Sequence, residues 1–300
     1  MPFFPVIKWS GSKRLLAGEI VSYFPKDCDL YFEPFLGGAS VLLEYKPKKA
    51  FCIDINESLI DFWNIVKNKP EELAAHYKNN WEELQKDYRH FAKIRDHYNE
   101  NKNGYDLLFL SRTCVNGLIR YNRDGDFNNS LHYSRKGADP EKVKKAILET
   151  SEIIQNYDFY SGDYQMILDR VTSKSLIYLD PPYFFTKSMY YGKIDYVRFW
   201  EFLFKLKEKG AKIALSFDGK TDNREYSVEV PKGLFKRHLY LKSGKSTFNK
   251  VIDKVNNEVY ESLYLTWWHN QFSAFYDWFF YKNSYYFVCE IFTFFFGIKN

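Results

Sequence analysis

Midway along the chain, Asp180, Pro181, Pro182 and Tyr183 follow directly on the apolar residues Ile177, Tyr178 and Leu179. Proline has no N–H to give a ladder, so a strand stops here and the backbone beyond it is stiff. The sequence therefore sets one carboxylate and one aromatic ring on a rigid corner at a strand end. That pairing suits the exocyclic amine of a nucleobase, a poor nucleophile because its lone pair is delocalised into the ring. Two acceptors aimed at its N–H groups draw the nitrogen toward tetrahedral geometry and free the lone pair. Asp180 supplies one, and the Pro181 carbonyl, constrained by the Pro182 ring, supplies the other. Tyr183 offers a face for a base that has left its stack. The plainer reading, a proline turn with a surface Asp, fits poorly straight after an apolar strand.

A second constellation lies upstream. Gly37 and Gly38 allow a tight turn after the apolar run ending in Glu33, and Asp54 closes the next such run. The interval from Gly37 to Asp54 is near the roughly 20 residues that separate a glycine turn from a ribose-binding acid in nucleotide folds. G-x-G-x-x-G is missing, so pyrophosphate binding is not implied. A cofactor with ribose and adenine but no phosphates fits better, and S-adenosylmethionine is the common one; an ordinary tight turn with a helix-capping Asp fits this stretch equally. In "KWSGSK", Trp9 is either a core residue or a ring packed on that cofactor, with Lys13 facing a carboxylate.

These residues need a scaffold. The runs around Leu30–Glu33 and Ala50–Asp54, with a short helix between them, make a β-α-β unit. From about Asn56 to Ile147 the chain is polar and helical in period, apart from a hairpin or ordered loop about Asp124-Gly125. Strand-like runs resume in "YDFYSGDY", "SLIYLDPPY" and "KIALSFDG", with a helix stopping at Gly210, and "RHLYLKSG" and "EVYESLYLTW" read as a pair of edge strands. The expected fold is an open α/β sheet interrupted by a helical insert, with acid-bearing turns at the carboxyl ends of its strands, where such sheets bind ligands. The formal charge of +5 permits a polyanionic partner without demanding one. Cys28, Cys52, Cys114 and Cys289 are scattered, which predicts reduced thiols in a cytoplasmic protein and no metal site. No stretch reads as a signal peptide or a membrane span. Aromatic residues make up 20% of the chain, which an A/T-rich gene explains without function, so position has to carry the argument.

Taken in order, "KWSGSK", "EPFLGGAS", "DINESLIDFW", "RTCVNGLIRYNRDGDFN" and "YLDPPY" resemble the successive motifs of the Dam-type DNA adenine-N6 methyltransferases, and "IALSFDG" and "NEVYESLY" extend the likeness to about Thr266. The resemblance implies a Rossmann-like S-adenosylmethionine-dependent methyltransferase sheet of residues 1–55 and 157–266. It also implies a mainly helical target-recognition insert of residues 56–156, leaving 267–300 as an aromatic-rich tail. By resemblance, Trp9, Lys13, Phe35, Gly37, Asp54, Asp163 and Asp180 hold the cofactor, with Asp163 the looser match. Asp180, Pro181, Pro182 and Tyr183 act on the flipped base. Ala39 departs from the family's usual third glycine. Within the insert, Arg112, Asn116, Arg120, Tyr121, Arg123, Asn128, Arg135 and Lys136 are the candidate contacts to double-stranded DNA. Arg and Asn suit base edges in the major groove, and Lys and Arg neutralise phosphates. Asn122 belongs to the same mix, and Phe127 is a further candidate wedge beside Tyr121. A solvated basic loop is the usual alternative for such a cluster. Rival readings are cytosine N4 methylation, which Asp180 argues against, an RNA substrate, and a silent DNA-binding module. The resemblance also implies a restriction endonuclease acting on the same site.

Overall fold

The structure is a computed structural model, and it describes residues 4–26, 28–182, 194–221, 224–226, 229–245 and 258–268. Among the described residues eight strands form one sheet: β1 (Leu30–Glu33), β2 (Ala50–Asp54), β3 (Tyr157–Ser161), β4 (Ser175–Leu179), β5 (Lys212–Thr221), β6 (Arg224–Tyr226), β7 (Arg237–Lys245) and β8 (Glu258–Leu265). Their order is β3-β2-β1-β4-β5-β8-β7, with β6 beside β5. The first five of that order run parallel. β8 and β7 add antiparallel to β5. Every residue of β4 is buried, as expected of a parallel strand covered on both faces. The expected pair of edge strands is half right: β7 is an edge, but β8 lies inside the sheet between β5 and β7.

Side chains alternate between two cores. Tyr31, Cys52, Leu176 and Tyr178 face one layer. It includes α1 (Ala17–Ser22), α2 (Ser40–Tyr45), α3 (Glu57–Asn68) and α7 (Pro140–Ile153). Phe32, Ile53, Ile177 and Leu215 face the other, where α8 (Tyr196–Glu208) contributes Phe199, Phe202, Leu203 and Leu206. The chain runs outward from β1 through β2 to β3, then returns to lay β4 on the other side of β1. The sheet's switch point therefore lies between β1 and β4, and a ligand crevice opens at their carboxyl ends.

Between 57 and 153 the chain is mainly helical, as expected, with α4 (Pro70–Lys86), α5 (His90–Asn101) and α6 (Gly104–Thr113) between α3 and α7 and an irregular stretch over 114–139. Asn56, Asn103 and Asp139 begin three of these helices by accepting a hydrogen bond from the backbone of the first turn. Helix α3 packs on β2 and β3 as well as on α6 and α7. Helices and sheet belong to one compact unit, Met1–Trp267. Trp268–Asn300 form a second, of which all but Trp268 lies outside the described residues. Among the described residues no helix is long and apolar enough to cross a membrane.

Candidate active site

The crevice is a pocket whose lining includes Trp9, Lys13, Glu33, Phe35, Gly37, Asp54, Tyr121, Asp163, Asp180, Pro181 and Pro182. The structure thus gathers in one place every expected cofactor residue and the first three residues of the D-P-P-Y corner. Tyr183 lies outside the described residues.

The loop after β1 is built around Asp54. Gly37, at φ +48°, donates its N–H to Asp54 Oδ2 at 2.9 Å, and the Asn56 N–H reaches Oδ1 at 3.0 Å. The Trp63 indole donates to the Gly37 carbonyl at 3.1 Å. Trp9 lies against this loop so closely that a Cβ on Gly37 would sit 3.0 Å from its indole ring, and one on Gly38 3.1 Å from its own Cβ. Side chains at either position would push the indole away. Ala39 adopts φ 52°, the left-handed region that favours glycine. Backbone donors meet both Asp54 oxygens, and the carboxylate, with about four lone-pair sites, keeps capacity for a further hydroxyl. Burial pushes this carboxyl above its ordinary value, against the pull of the backbone N–H groups of Asn56, Gly37 and Ile55.

At the switch point four ionisable groups meet. Lys13 Nζ lies 2.8 Å from Asp180 Oδ1 and 3.4 Å from Glu261 Oε2, and donates to the Gly11 carbonyl at 3.2 Å. Its side chain is only 5% exposed, so the ammonium is held out of water by these oxygens. Burial pushes Asp180 up to about 6, with Lys13 pulling it down and Glu261 pushing it further. Glu33, at the end of β1, is buried beside it and accepts the Tyr31 hydroxyl at 2.6 Å. Burial first, and then the Asp180 charge, raise Glu33 to about 8, against the Tyr31 bond, and so favour its protonated form. Lys13 was expected to face a carboxylate; here it faces two, Asp180 and Glu261.

Across the pocket, Asp163 lines the wall with its carboxylate paired to Arg198 of α8, Nη1–Oδ2 at 3.0 Å and Nη2–Oδ1 at 3.1 Å. Phe35 stacks on Tyr164, ring centroids 5.4 Å apart, and makes an aromatic wall beside it. Sequence reasoning missed Glu33, Glu261, Arg198 and Tyr164. The first two stand within quoted motifs, but nothing local marks them as neighbours of Asp180.

The expected hairpin is present as a short ribbon in which Tyr121 and Phe127 pair antiparallel. Its turn closes with Asn122 N–H on the Asp126 carbonyl at 2.8 Å. The Asn122 side chain takes the N–H groups of Asp124 and Asp126, so its carbonyl serves the turn. Helix α5 grips the ribbon from behind: Asn99 bonds both N–H and C=O of Phe127, and Lys102 donates to the Gly125 carbonyl. Arg120 and Asn128, both exposed, hydrogen-bond to each other at 2.9 Å. Asn116, Arg123 and Arg135 are exposed, and Lys136 is half-buried with φ 43°.

Two expectations are corrected here. Arg112 is buried, and its Nε and Nη2 both donate to the Val6 carbonyl, at 2.9 and 2.7 Å, with the guanidinium over the Phe4 ring. It ties the N-terminal segment to α6 and does not face a ligand. Phe127 is 1% exposed and packs on Tyr98, so it is core and no wedge. Tyr121 bonds the hydroxyl of Tyr98 at 2.7 Å and the amide of Asn56 at 3.2 Å, and it lines the pocket.

A mostly parallel sheet covered by helices on both faces, with a pocket at the carboxyl ends of its strands, is a Rossmann-like α/β fold of the methyltransferase kind. Residues 9–243 match the model of the D12 class N6 adenine-specific DNA methyltransferases, and the chain belongs to that family. It is 29% identical over 294 residues to the type II methyltransferase M.MjaIII of Methanocaldococcus jannaschii, covering 88% of this chain and 99% of that one. It is 30% identical to M1.LlaDCHI, a type II methyltransferase of Lactococcus lactis subsp. cremoris, over 71% of this chain and 80% of the relative. A DNA adenine methylase of Escherichia coli is 30% identical over 59% of this chain and 64% of its own length. The protein is an adenine-specific DNA methyltransferase, its substrate is DNA, and its reaction requires a methyl donor.

Proposed function

We propose that the methyl donor is S-adenosylmethionine, bound between Trp9, Phe35, Gly37, Asp54 and Asp163, and that the acceptor is N6 of an adenine turned out of double-stranded DNA. The observation that carries this reading is that Asp54 and Asp180 line one pocket, a ribose-type acceptor and an amine-type acceptor side by side. The pocket fits the donor. Asp54 keeps lone pairs for a ribose diol, Phe35 and Tyr164 offer an aromatic wall to an adenine, and the surrounding carboxyls suit a cation. When bound, S-adenosylmethionine supplies an electrophilic methyl group on a positively charged sulfur.

The protein's own residues then do three things. Asp180 and the Pro181 carbonyl accept the two N–H groups of the target amine and localise its lone pair. Lys13 favours the ionised form of Asp180, which otherwise pays for its burial. As N6 gains a carbon it must lose a proton, and the Asp180 carboxylate, held near neutrality, is placed to accept it. Tyr183 is the stacking face for the turned-out base. Asn116, Arg120, Arg123, Asn128, Arg135 and Lys136 supply the DNA contacts of the insert. The type II names of two relatives support a modification role beside a restriction endonuclease with the same site, in the cytoplasm.

Labelled S-adenosylmethionine offered with duplex DNA, with RNA and with no nucleic acid, followed by nucleoside analysis, tests the reading. Label in N6-methyladenine from duplex DNA is expected. Label in RNA or in cytosine, or binding without transfer, would overturn it.

A further inference from the structure

Glu261 has no place in the scheme above, yet it is built into the site with care. It stands on β8, opposite Gly219 of β5, where the pairing of the two strands shifts register between Ser216 and Gly219. Bulges of this kind re-aim side chains and concentrate beside active sites. The close approach depends on Gly219: a Cβ there would lie 2.0 Å from the Tyr260 carbonyl oxygen and 3.2 Å from Glu261 Cα. The side chain so aimed reaches Lys13 while remaining only 24% exposed.

Lysine carries its charge on a flexible four-carbon stem, and one ion pair does not fix it. Here three oxygens from three places in the chain converge on Nζ: the Gly11 carbonyl, Asp180 Oδ1 and Glu261 Oε2. Burying a second carboxylate next to Asp180 is costly in itself and raises the proton affinity of Asp180, so its retention needs a reason beyond stability. We propose that Glu261 is a positioning residue for methyl transfer: it anchors the Lys13 ammonium against Asp180 Oδ1, so that the catalytic carboxylate keeps one orientation toward the target amine. The groups facing Asp180 are then Lys13 from the N-terminal loop, Glu261 from β8, Glu33 from β1 and Tyr178 from its own strand.

The inference rests on the methyl-transfer reading, and the test separates the two. Single-turnover methylation is followed across pH at saturating donor and duplex for the wild type, Glu261→Gln, Lys13→Met and the double variant. Transfer by the wild type is the control; its absence would sink the methyl-transfer reading itself. Glu261→Gln is expected to lower the rate roughly 10- to 100-fold, the scale of a small misplacement of a reacting group. Its acid limb is expected at higher pH, because Asp180 loses part of its cation. In the Lys13→Met background the same change should cost little more, since both act through one contact. Glu261→Asp should recover part of the rate. A Glu261 that merely adds charge would give the reverse signature: an unchanged rate and an acid limb at lower pH. That result, or fully additive losses in the double variant, would overturn the proposal. Should Glu261→Gln fail to fold, Glu261→Asp carries the test, alone and with Lys13→Met, and is expected to lower the rate and raise the acid limb only where Lys13 is present.

Discussion

The carboxyl-end pocket and the Arg120–Asn128 ribbon carry their polar groups in opposite ways. In the pocket, Lys13 and Glu33 are buried and Asp180 nearly so, and each charge is answered by another within hydrogen-bond reach or is suppressed by a proton. On the ribbon, Arg120, Arg123 and Asn128 stand in solvent, and it is the backbone that is fixed, by Asn99, Lys102 and Asn122. Buried ionisable groups have states set by their neighbours, which is what proton transfer and nucleophile activation require. Exposed groups on a braced turn keep their ordinary chemistry and gain only a position, which is what reading a surface requires.

The contrast can be broken at several points. The largest effect is expected at Asp180: its replacement by Ala should lower single-turnover methylation by roughly 10²–10³-fold, the scale of losing one preorganised catalytic contact, while duplex binding measured by anisotropy stays near wild type. A near-normal rate would remove Asp180 from the chemistry. Next is Asp54→Ala, which should weaken S-adenosylmethionine by about 1.5–3 kcal/mol through loss of a charged acceptor, read by calorimetry on folded protein. Unchanged affinity would take Asp54 out of the cofactor site. Arg112→Ala should cost about 1–3 kcal/mol in urea unfolding, because the buried Val6 carbonyl is left without its donors.

The pocket's acids also set a pH dependence of opposite sign for activity and stability. Glu33 holds its proton up to about 8 in the folded chain against 4.5 ordinarily, and Asp180 up to about 6 against 3.8. The folded state thus binds more protons than the unfolded between those values. Their contribution to stability is greatest at the acid end and declines as pH rises through each window. Methyl transfer, which needs Asp180 ionised, should instead rise as pH passes about 6. Glu33→Gln should flatten the decline in stability between 4.5 and 8, as measured by unfolding at a series of pH values. An unaltered slope would mean that Glu33 is ionised in the folded protein. The smallest change in stability is expected on the ribbon, where Arg123→Ala should stay within about 0.5 kcal/mol of wild type.

How much of this was legible in the sequence divides along the same line. β1, β2 and β4 could be read because parallel strands covered on both faces are continuous apolar runs, and the acids that end them sit where such sheets bind ligands. The turn at Asp124-Gly125 could be read because it is local. Arg112 was misread because a run of Arg and Asn looks the same whether it lies on a loop or, as here, begins on a helix buried all round; what claims this guanidinium is a carbonyl far away in sequence, at Val6. Glu261 and Glu33 were illegible for the same reason. Their significance lies in Lys13 and Asp180, which only the folded sheet brings near them. The interior position of β8 escaped because its first half is only partly covered, the pattern of an edge.

The division between chemistry and reading is tested most directly by methylation of a randomised duplex pool with wild-type, Arg123→Ala and Asn128→Ala enzymes, sequencing the methylated sites and timing a single turnover on each enzyme's preferred site. The account predicts adenine N6 methylation by all three, altered flanking preference in the ribbon variants, and single-turnover rates close to wild type. An unchanged preference accompanied by a collapsed rate would contradict it, because the ribbon would then belong to the chemistry and not to the reading.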